Sequence, residues 1–345
     1  MIEIETIDSY KQGQNMCDSS CYNANNQSSL IRERDAAVDF TKGILILLMV
    51  LFHLTYFVTR MPMGSQPLIY MFHMPAFLVL SGFFTSTDNP LKRLNNMLRS
   101  VLIPYIIFEA IYLIGLGILG KEVGANNKFE FTVSNFIDKI CFSPIGTYWY
   151  LHTLVICASV YILFSFPRLR LCKVNTLVCS AIVCFSISVL IDGLQWVNCM
   201  YFFVGAYIRI LCKDIKQVIL PSVFSLLGVV ILCFTIELHD RDSLGGFFIT
   251  LASLSFLFSV TRFINKKILG VFVVCGRNTL SIVLFSPFYM IPSKFYSRYF
   301  DFDPTGLLYG SFSLLFIVTL CLATSVLMDK IGLSHYVFGK NLFTC

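Results

Sequence analysis

Charged residues are scarce in this sequence. Asp, Glu, Lys and Arg together make up 13% of the 345 residues, whereas apolar residues make up 56% and the mean hydropathy is +0.74. Because a soluble domain of this length does not bury that much apolar surface, the composition excludes an ordinary soluble protein. Strand-like alternation of apolar and polar residues is also missing, which argues against a membrane barrel. The long apolar runs instead have the length, roughly 20 residues, that a membrane-spanning helix requires.

Signals for nucleic-acid, metal and nucleotide binding are lacking as well. The formal charge of +6 comes from basic residues scattered through short loops, which is typical of membrane topology signals rather than of a nucleic-acid partner. Most of the 13 cysteines lie singly in apolar runs, and the Cys17 and Cys21 pair has no second pair or histidines beside it, so a zinc site is not expected. We therefore predict no bound metal and no bound cofactor.

The apolar runs predict an all-α integral membrane protein, a bundle of about ten transmembrane helices. Residues 1–33 are polar and are predicted to be a disordered cytoplasmic tail, 34–330 a ten-helix membrane domain, and 331–345 a cytoplasmic tail. The predicted spans lie near 38–59, 66–84, 101–119, 149–166, 174–191, 196–212, 219–236, 246–261, 278–293 and 306–328. Arg277 and Pro287 interrupt the ninth span, and the apolar stretch 268–275 before it is assigned to the membrane interface.

The distribution of basic residues predicts the orientation of the bundle. Loops on the side of the N-terminus hold eighteen of the 26 Lys and Arg residues, as expected for cytoplasmic loops. The opposite side holds seven: Arg60, Lys121, Lys128, Lys139, Arg241, Lys294 and Arg298. Both termini are therefore predicted to be cytoplasmic, in a multi-pass protein of the cell's inner (cytoplasmic) membrane.

Lys42 and His53 are the first candidates for chemistry, because ionisable groups inside a membrane are costly. They are eleven residues apart in the first span, so on a helix both project from one face with about 16 Å between them. This geometry suits a long donor such as acyl-coenzyme A, with Lys42 holding phosphate and His53 taking a proton from an acceptor hydroxyl. The alternative is that Lys42 is a flanking residue that reaches the interface and His53 an interhelical hydrogen bonder.

Further ionisable residues follow in the next spans. His73 is predicted to orient an acceptor or pair with His53, or else to bond backbone carbonyls loosened by Pro75. Glu109 lies in apolar surroundings, and pairing with a histidine or a cation is favoured over direct catalysis. His152, beside the interfacial Trp149-Tyr150, is interpreted as structural.

The polar residues occur in a distinctive order, namely Arg34, Asp39-x-x-Lys42-Gly43 and His53, then Phe72-His73-Met74-Pro75 and Ser81-Gly82, then Arg99 and Ile103-Pro104-Tyr105, then Trp149-Tyr150-Leu151, Phe203-x-Gly205 and Gly276-Arg277-Asn278-Thr279-Leu280. This order resembles the acyltransferase family 3 membrane proteins over about residues 34–330, in particular their fucose 4-O-acetylase-like branch. No single motif is decisive, and the resemblance rests on the shared order.

The resemblance implies an O-acetylase that moves an acetyl group from acetyl-coenzyme A to a hydroxyl of a cell-surface carbohydrate or its lipid-linked precursor. His53 takes the catalytic position, with His73 and Glu109 placed in the same cavity. The donor-binding residues would be Lys42, Arg99, Asp39 and Arg277. Two departures from the family stand out: lysine at position 42, where many members carry arginine, and Ser286, where members often carry histidine.

Two other classes of function fit a bundle of this kind. A transporter or flippase that exports a glycan or lipid intermediate would also use many spans with a few buried polar groups, although the sequence shows no inverted repeat. A structural or sensory membrane subunit has less need of charges along one helical face. The expected partners of the enzyme are acetyl-coenzyme A, a carbohydrate acceptor and the lipid bilayer, with no nucleic acid.

Overall fold

The computed structural model describes residues 35–61, 65–119, 131–169, 171–235 and 242–344. Within these ranges the chain is helical and contains no β-strand. Residues 37–345 form one compact unit. The predicted N-terminal tail, residues 1–33, lies outside the described residues.

The described part of the chain contains the following α-helices. In chain order they are α1 (Ala36–Phe52), α2 (Thr55–Val58), α3 (Ser65–Phe84), α4 (Pro90–Met97), α5 (Ile103–Leu119), α6 (Val133–Cys141), α7 (Tyr148–Phe164), α8 (Lys173–Leu190), α9 (Trp196–Leu211), α10 (Ser225–Thr235), α11 (Leu244–Val260), α12 (Lys266–Arg277), α13 (Thr279–Tyr296), α14 (Leu307–Lys330) and α15 (Leu333–Phe338). A π-helical turn, Leu98–Leu102, joins α4 to α5.

Each predicted span coincides with a described helix, the first with α1 and α2 together. By length and hydropathy, three described helical stretches can cross a membrane: Pro90–Ile118, Lys173–Leu190 and Leu307–Lys330. The pair α12 and α13 becomes a fourth candidate if it is counted as one span, although it is bent by 80°. The structure thus describes an all-α membrane protein, while the count of ten spans and the cytoplasmic position of both termini remain predictions.

Two helix boundaries differ from the sequence prediction. The seventh span is predicted from residue 219, but α10 begins only at Ser225, because the backbone before it is bonded to α11: the Ser222 N–H donates to the Ser255 carbonyl, and the Ser255 hydroxyl donates to the Leu220 carbonyl. The first span was predicted as one helix through His53, but α1 ends at Phe52 and His53 lies in the turn that follows.

Glycines set the closest helix packing. An added Cβ on Gly82 of α3 would overlap the Phe202 carbonyl of α9, and one on Gly205 of α9 would overlap the Val79 carbonyl of α3. The same close contact joins α1 to α12, where the two glycines are Gly43 and Gly276. Small residues of this kind let helix backbones approach closely in a membrane, where lipid offers no hydrophobic drive for association.

The residues after α14 pack onto the bundle. Asp329 accepts hydrogen bonds from the N–H groups of Leu342 and Phe343, both at 2.8 Å. Asn278, at the corner between α12 and α13, exchanges two 2.8 Å bonds with the backbone of Thr344. The segment predicted only as a tail therefore joins the end of α14 to the corner before α13.

Candidate functional site

The backbone selects one tautomer of the neutral His53 ring. Its Nδ1 lies 2.7 Å from the carbonyl oxygen of Met49, one turn back. Because a carbonyl can only accept, Nδ1 carries the proton, and the Nε2 atom of the neutral ring keeps its lone pair. The backbone N–H of His53 bonds to Val50, three residues back, so the helix tightens at its end. The ring is thereby oriented as a proton acceptor at Nε2.

A cavity of about 480 Å³ lies against His53. This volume is in the usual range of small-molecule sites. Five parts of the chain form its wall: the turn around α2, one face of α5, the turn before α7, the second half of α13 with the turn after it, and the start of α14. The lining residues are His53, Leu54, Thr55, Tyr56, Tyr112, Leu116, Gly146, Thr147, Pro287, Met290, Ile291, Ser293, Lys294, Ser297 and Tyr309.

Pro287 explains how the start of α7 is fixed to α13. A proline inside a helix has no N–H, so the carbonyl four residues earlier loses its usual partner. That carbonyl belongs to Val283, and the Thr147 hydroxyl donates to it at 3.3 Å. The Tyr148 hydroxyl donates to the next carbonyl, that of Leu284, at 2.9 Å. The proline thus creates the acceptor that anchors one wall of the cavity.

Tyr70 joins the two histidines that the sequence singled out. Its ring centroid lies 6.2 Å from that of His53 and 5.3 Å from that of His73. The Tyr70 hydroxyl donates to the Phe52 carbonyl at 2.7 Å, which fixes the end of α1 beside α3. His73 is fully buried and its Nδ1 lies 2.7 Å from the carbonyl of Ile69. The sequence reasoning missed Tyr70, although its spacing of three residues from His73 was a usable signal.

Glu109 contacts the wall of the cavity from α5. It is fully buried, and its Oε1 accepts the N–H of Ile145 at 3.0 Å. Ile145 directly precedes Gly146 and Thr147, which line the cavity. The other oxygen, Oε2, has no hydrogen-bond partner among the described residues. Glu109 therefore holds the turn before α7 and is not itself a lining residue.

Three of the four predicted donor-binding residues lie together. Asp39 pairs with Arg277 at 3.2 Å and with Lys42 at 3.9 Å. The Lys42 ammonium also lies 4.3 Å from the centre of the Phe84 ring. We name Asp39, Lys42 and Arg277 the α1–α12 charge cluster. Arg99 lies apart from these contacts, near the end of α15, where an added Cβ on Gly339 would be 3.9 Å from it.

The remaining candidates have structural contacts. His152 is buried, and its Nε2 lies 2.9 Å from the Cys141 carbonyl, which ties α7 to α6. Ser286, the residue noted as a departure from the family, is fully buried in α13. Across the part of the chain that the structure describes, no group of three or more His, Cys, Asp or Glu side chains is arranged to hold a metal ion. Independence from a metal remains a prediction.

Comparison with known proteins identifies the family. The family model of acyltransferase family 3, which describes an acyltransferase domain, matches residues 35–326 of the sequence. Nodulation protein NolL of Sinorhizobium fredii is 32% identical over 162 residues, which is 44% of this chain. The aligned part spans only 41% of NolL. No solved structure gives a significant match. Since the family model covers well over half of the sequence, the chain belongs to acyltransferase family 3.

Proposed function

We propose that this protein is an O-acetyltransferase of the inner membrane. It would move an acetyl group from acetyl-coenzyme A to a hydroxyl of a cell-surface carbohydrate or its lipid-linked precursor. The observation that carries this proposal is His53, which lines a substrate-sized cavity with its Nδ1 proton already committed to Met49. The placement within the fucose 4-O-acetylase-like branch belongs to the same proposal.

His53 acts as the general base in this proposal. Its Nε2 takes the proton of the acceptor hydroxyl while the hydroxyl oxygen attacks the thioester carbonyl. The bond between that carbonyl and sulfur breaks, and coenzyme A leaves as a thiolate that takes up the proton. The hydrogen bond from Nδ1 to Met49 favours the imidazolium that forms in between. An acyl-histidine intermediate would use the same atom as nucleophile, followed by attack of the acceptor.

The α1–α12 charge cluster is proposed to bind the phosphates of the donor. Two cations and one carboxylate give it a net positive charge, and Asp39 fixes the direction of the Arg277 guanidinium through a 3.2 Å bond. Charged arginine and lysine donors form strong, charge-assisted hydrogen bonds to phosphate oxygens. Arg99, which lies near the C-terminal segment, would contact a more distant part of the donor.

The test is acetyl transfer with matched variants. Membranes bearing the native chain, His53→Ala or the control His335→Ala would receive radiolabelled acetyl-coenzyme A, and label in the host's surface polysaccharide would be counted. His335 is an exposed histidine outside the cavity, so its variant should retain transfer. We expect His53→Ala to lose at least a hundredfold, the usual contribution of a general base. Equal label in native and His53→Ala membranes would refute the proposal.

The transport alternative gives a different result in the same membranes. A flippase would accumulate unexported glycan when it is inactivated and would leave the acetyl content of the exported glycan unchanged. Measuring both quantities separates loss of export from loss of acetylation. The family match favours acyl transfer over transport.

A further inference from the structure

The segment that follows α15 contacts both parts of the proposed donor site. We name residues 339–344 the docked segment. At its start, an added Cβ on Gly339 would lie 3.9 Å from the Cβ of Arg99. At its end, the backbone of Thr344 bonds to Asn278, at the corner between α12 and α13. The docked segment therefore begins beside Arg99 and finishes at the end of α12, the helix that carries one side of the α1–α12 charge cluster.

Asn278 fixes this corner with its side chain, which is 1% exposed. The amide NH2 group donates to the Thr344 carbonyl at 2.8 Å and to the Val274 carbonyl, one turn back in α12, also at 2.8 Å. The amide oxygen accepts the Thr344 N–H at 2.8 Å. Both donors and the acceptor of one buried amide are thus in use, so removing a partner leaves a buried polar group unsatisfied.

Two further contacts hold the docked segment to the bundle. Asp329, near the end of α14, accepts the N–H groups of Leu342 and Phe343, both at 2.8 Å. The Leu342 side chain is 7% exposed and belongs to the main apolar core. Three successive backbone N–H groups, those of residues 342–344, therefore bond to side chains of the bundle. The docked segment is a fixed part of the fold.

Arg277 is the functional candidate that this corner places. It is the last residue of α12, and Asn278 follows it directly. The Arg277 Nε donates to Asp39 at 3.2 Å, and Asp39 also pairs with Lys42 at 3.9 Å. A displacement of the corner by about 1 Å would take the bond between Arg277 and Asp39 beyond hydrogen-bonding range. The position of the guanidinium therefore depends on what holds the corner.

We infer that the docked segment positions Arg277 for donor binding, and that it does so through Asn278, a positioning residue. This inference rests on the proposed function, in which the α1–α12 charge cluster binds the donor phosphates. The docked segment is not part of the described lining of the His53 cavity. It therefore acts on the binding of the donor and not on the transfer of the acyl group.

The bonds from Asn278 go to the backbone of Thr344, which gives a matched pair of variants. Thr344→Pro removes the N–H, because proline has none, whereas Thr344→Ala keeps it. The dissociation constant for radiolabelled coenzyme A is measured by equilibrium dialysis with the full-length protein in detergent. We expect Thr344→Pro to raise this constant on the order of tenfold, as for the loss of one charge-assisted hydrogen bond to phosphate. Thr344→Ala should leave it unchanged.

A double variant tests whether the docked segment acts through Arg277. Arg277→Gln alone should weaken coenzyme A binding, and adding Thr344→Pro to Arg277→Gln should weaken it no further. In transfer assays, Thr344→Pro should raise the KM for acetyl-coenzyme A and keep kcat within about twofold of the native value. A general structural role would instead give additive losses of binding and would lower kcat.

Asp329→Asn decides the question if size-exclusion chromatography shows that Thr344→Pro does not fold. The asparagine keeps an acceptor for one of the two N–H groups and loses the acceptor for the other. It also removes a negative charge, which by itself would favour an anionic donor. Positioning by the docked segment predicts weaker coenzyme A binding in this variant, whereas the change of charge alone predicts tighter binding.

The outcomes separate this inference from the proposed function. The inference is overturned by equal affinities in Thr344→Pro and Thr344→Ala, by additive losses in the double variant, by unchanged or tighter binding in Asp329→Asn, or by native protein that does not bind coenzyme A. Transfer that depends on His53, with equal affinities in the two Thr344 variants, would leave the O-acetyltransferase standing. Coenzyme A binding that depends on the docked segment, without acetyl transfer, would keep the inference and remove the O-acetyltransferase.

Discussion

Replacing Gly276 with alanine tests the contact that assembles the α1–α12 charge cluster. A Cβ at this position would lie 2.7 Å from the Asp39 carbonyl carbon and would overlap the oxygen, whereas ordinary van der Waals contact begins at 3.4 Å. The clashing atoms belong to backbone, so no side-chain rotation relieves them. The two helices must move apart, and the 3.2 Å pair between Arg277 and Asp39 must lengthen with them.

The expected cost is that of overpacking a tight core, about 3 kcal/mol, at the upper end of the usual range because backbone has to move. In a chain of this size we expect this cost to lower the midpoint of thermal unfolding by roughly 4 °C. The measurement is the fraction of full-length protein that stays monodisperse after heating in detergent, read by size-exclusion chromatography. Acetyl transfer should fall in parallel, with a raised KM for acetyl-coenzyme A.

Gly270→Ala is the matched control on the same helix. An added Cβ at Gly270 meets no atom within 4 Å, so the substitution should be neutral or stabilise α12 by up to about 1 kcal/mol. If Gly276→Ala and Gly270→Ala melt within about 2 °C of each other, the close approach of α1 and α12 does not support the cluster and the reasoning is wrong.

Three further predictions concern the walls around His53 and the start of α14. Tyr70→Phe keeps the ring but removes the 2.7 Å bond to Phe52, and should cost about 1 kcal/mol of stability and lower kcat more than it raises KM. Glu109→Gln keeps an acceptor for Ile145 and should fold, whereas Glu109→Ala leaves that N–H unpaired and should lose about 1–3 kcal/mol in thermal or denaturant unfolding. The Thr305 hydroxyl, which donates to Asp303, holds the pKa of that carboxyl below its usual range. The ionised Asp303 carboxylate therefore contributes its full stabilisation above about pH 4, and this stabilisation declines as the pH falls further. Asp303→Asn should consequently flatten the acid side of the plot of melting temperature against pH.

The positions of the helices could be predicted from the sequence because apolar runs mark them directly. The family resemblance grouped Asp39, Lys42 and Arg277 with Arg99 as donor-binding residues, and the structure brings the first three of this group into contact. The end of α1 before His53 was not predicted, because the tightened turn depends on local hydrogen bonds that an apolar pattern does not indicate. The wall anchored by Thr147 on Val283 joins residues 136 positions apart, and such pairing depends on how the helices pack.

Lys294 is another residue whose environment could not be predicted from the sequence. A count of basic residues assigned it to a loop, where charge signals orientation. On α13, Lys294 lines the cavity together with Pro287 and Met290. Which way its side chain faces therefore depends on how the helix packs and not on its neighbours in sequence. Charge counting alone cannot distinguish a lysine that faces lipid headgroups from one that faces a cavity.

The short apolar helices have a consequence for the surrounding lipid. Helices α7 and α11 have 17 residues and α9 has 16, so at about 1.5 Å per residue they are about 24–26 Å long. A hydrocarbon layer about 30 Å thick is longer than this, so we expect a bilayer to thin around these helices if they cross it as the sequence predicts. We expect activity in reconstituted vesicles to rise as the lipid acyl chains are shortened, and the protein to collect in the thinner regions of a mixed membrane.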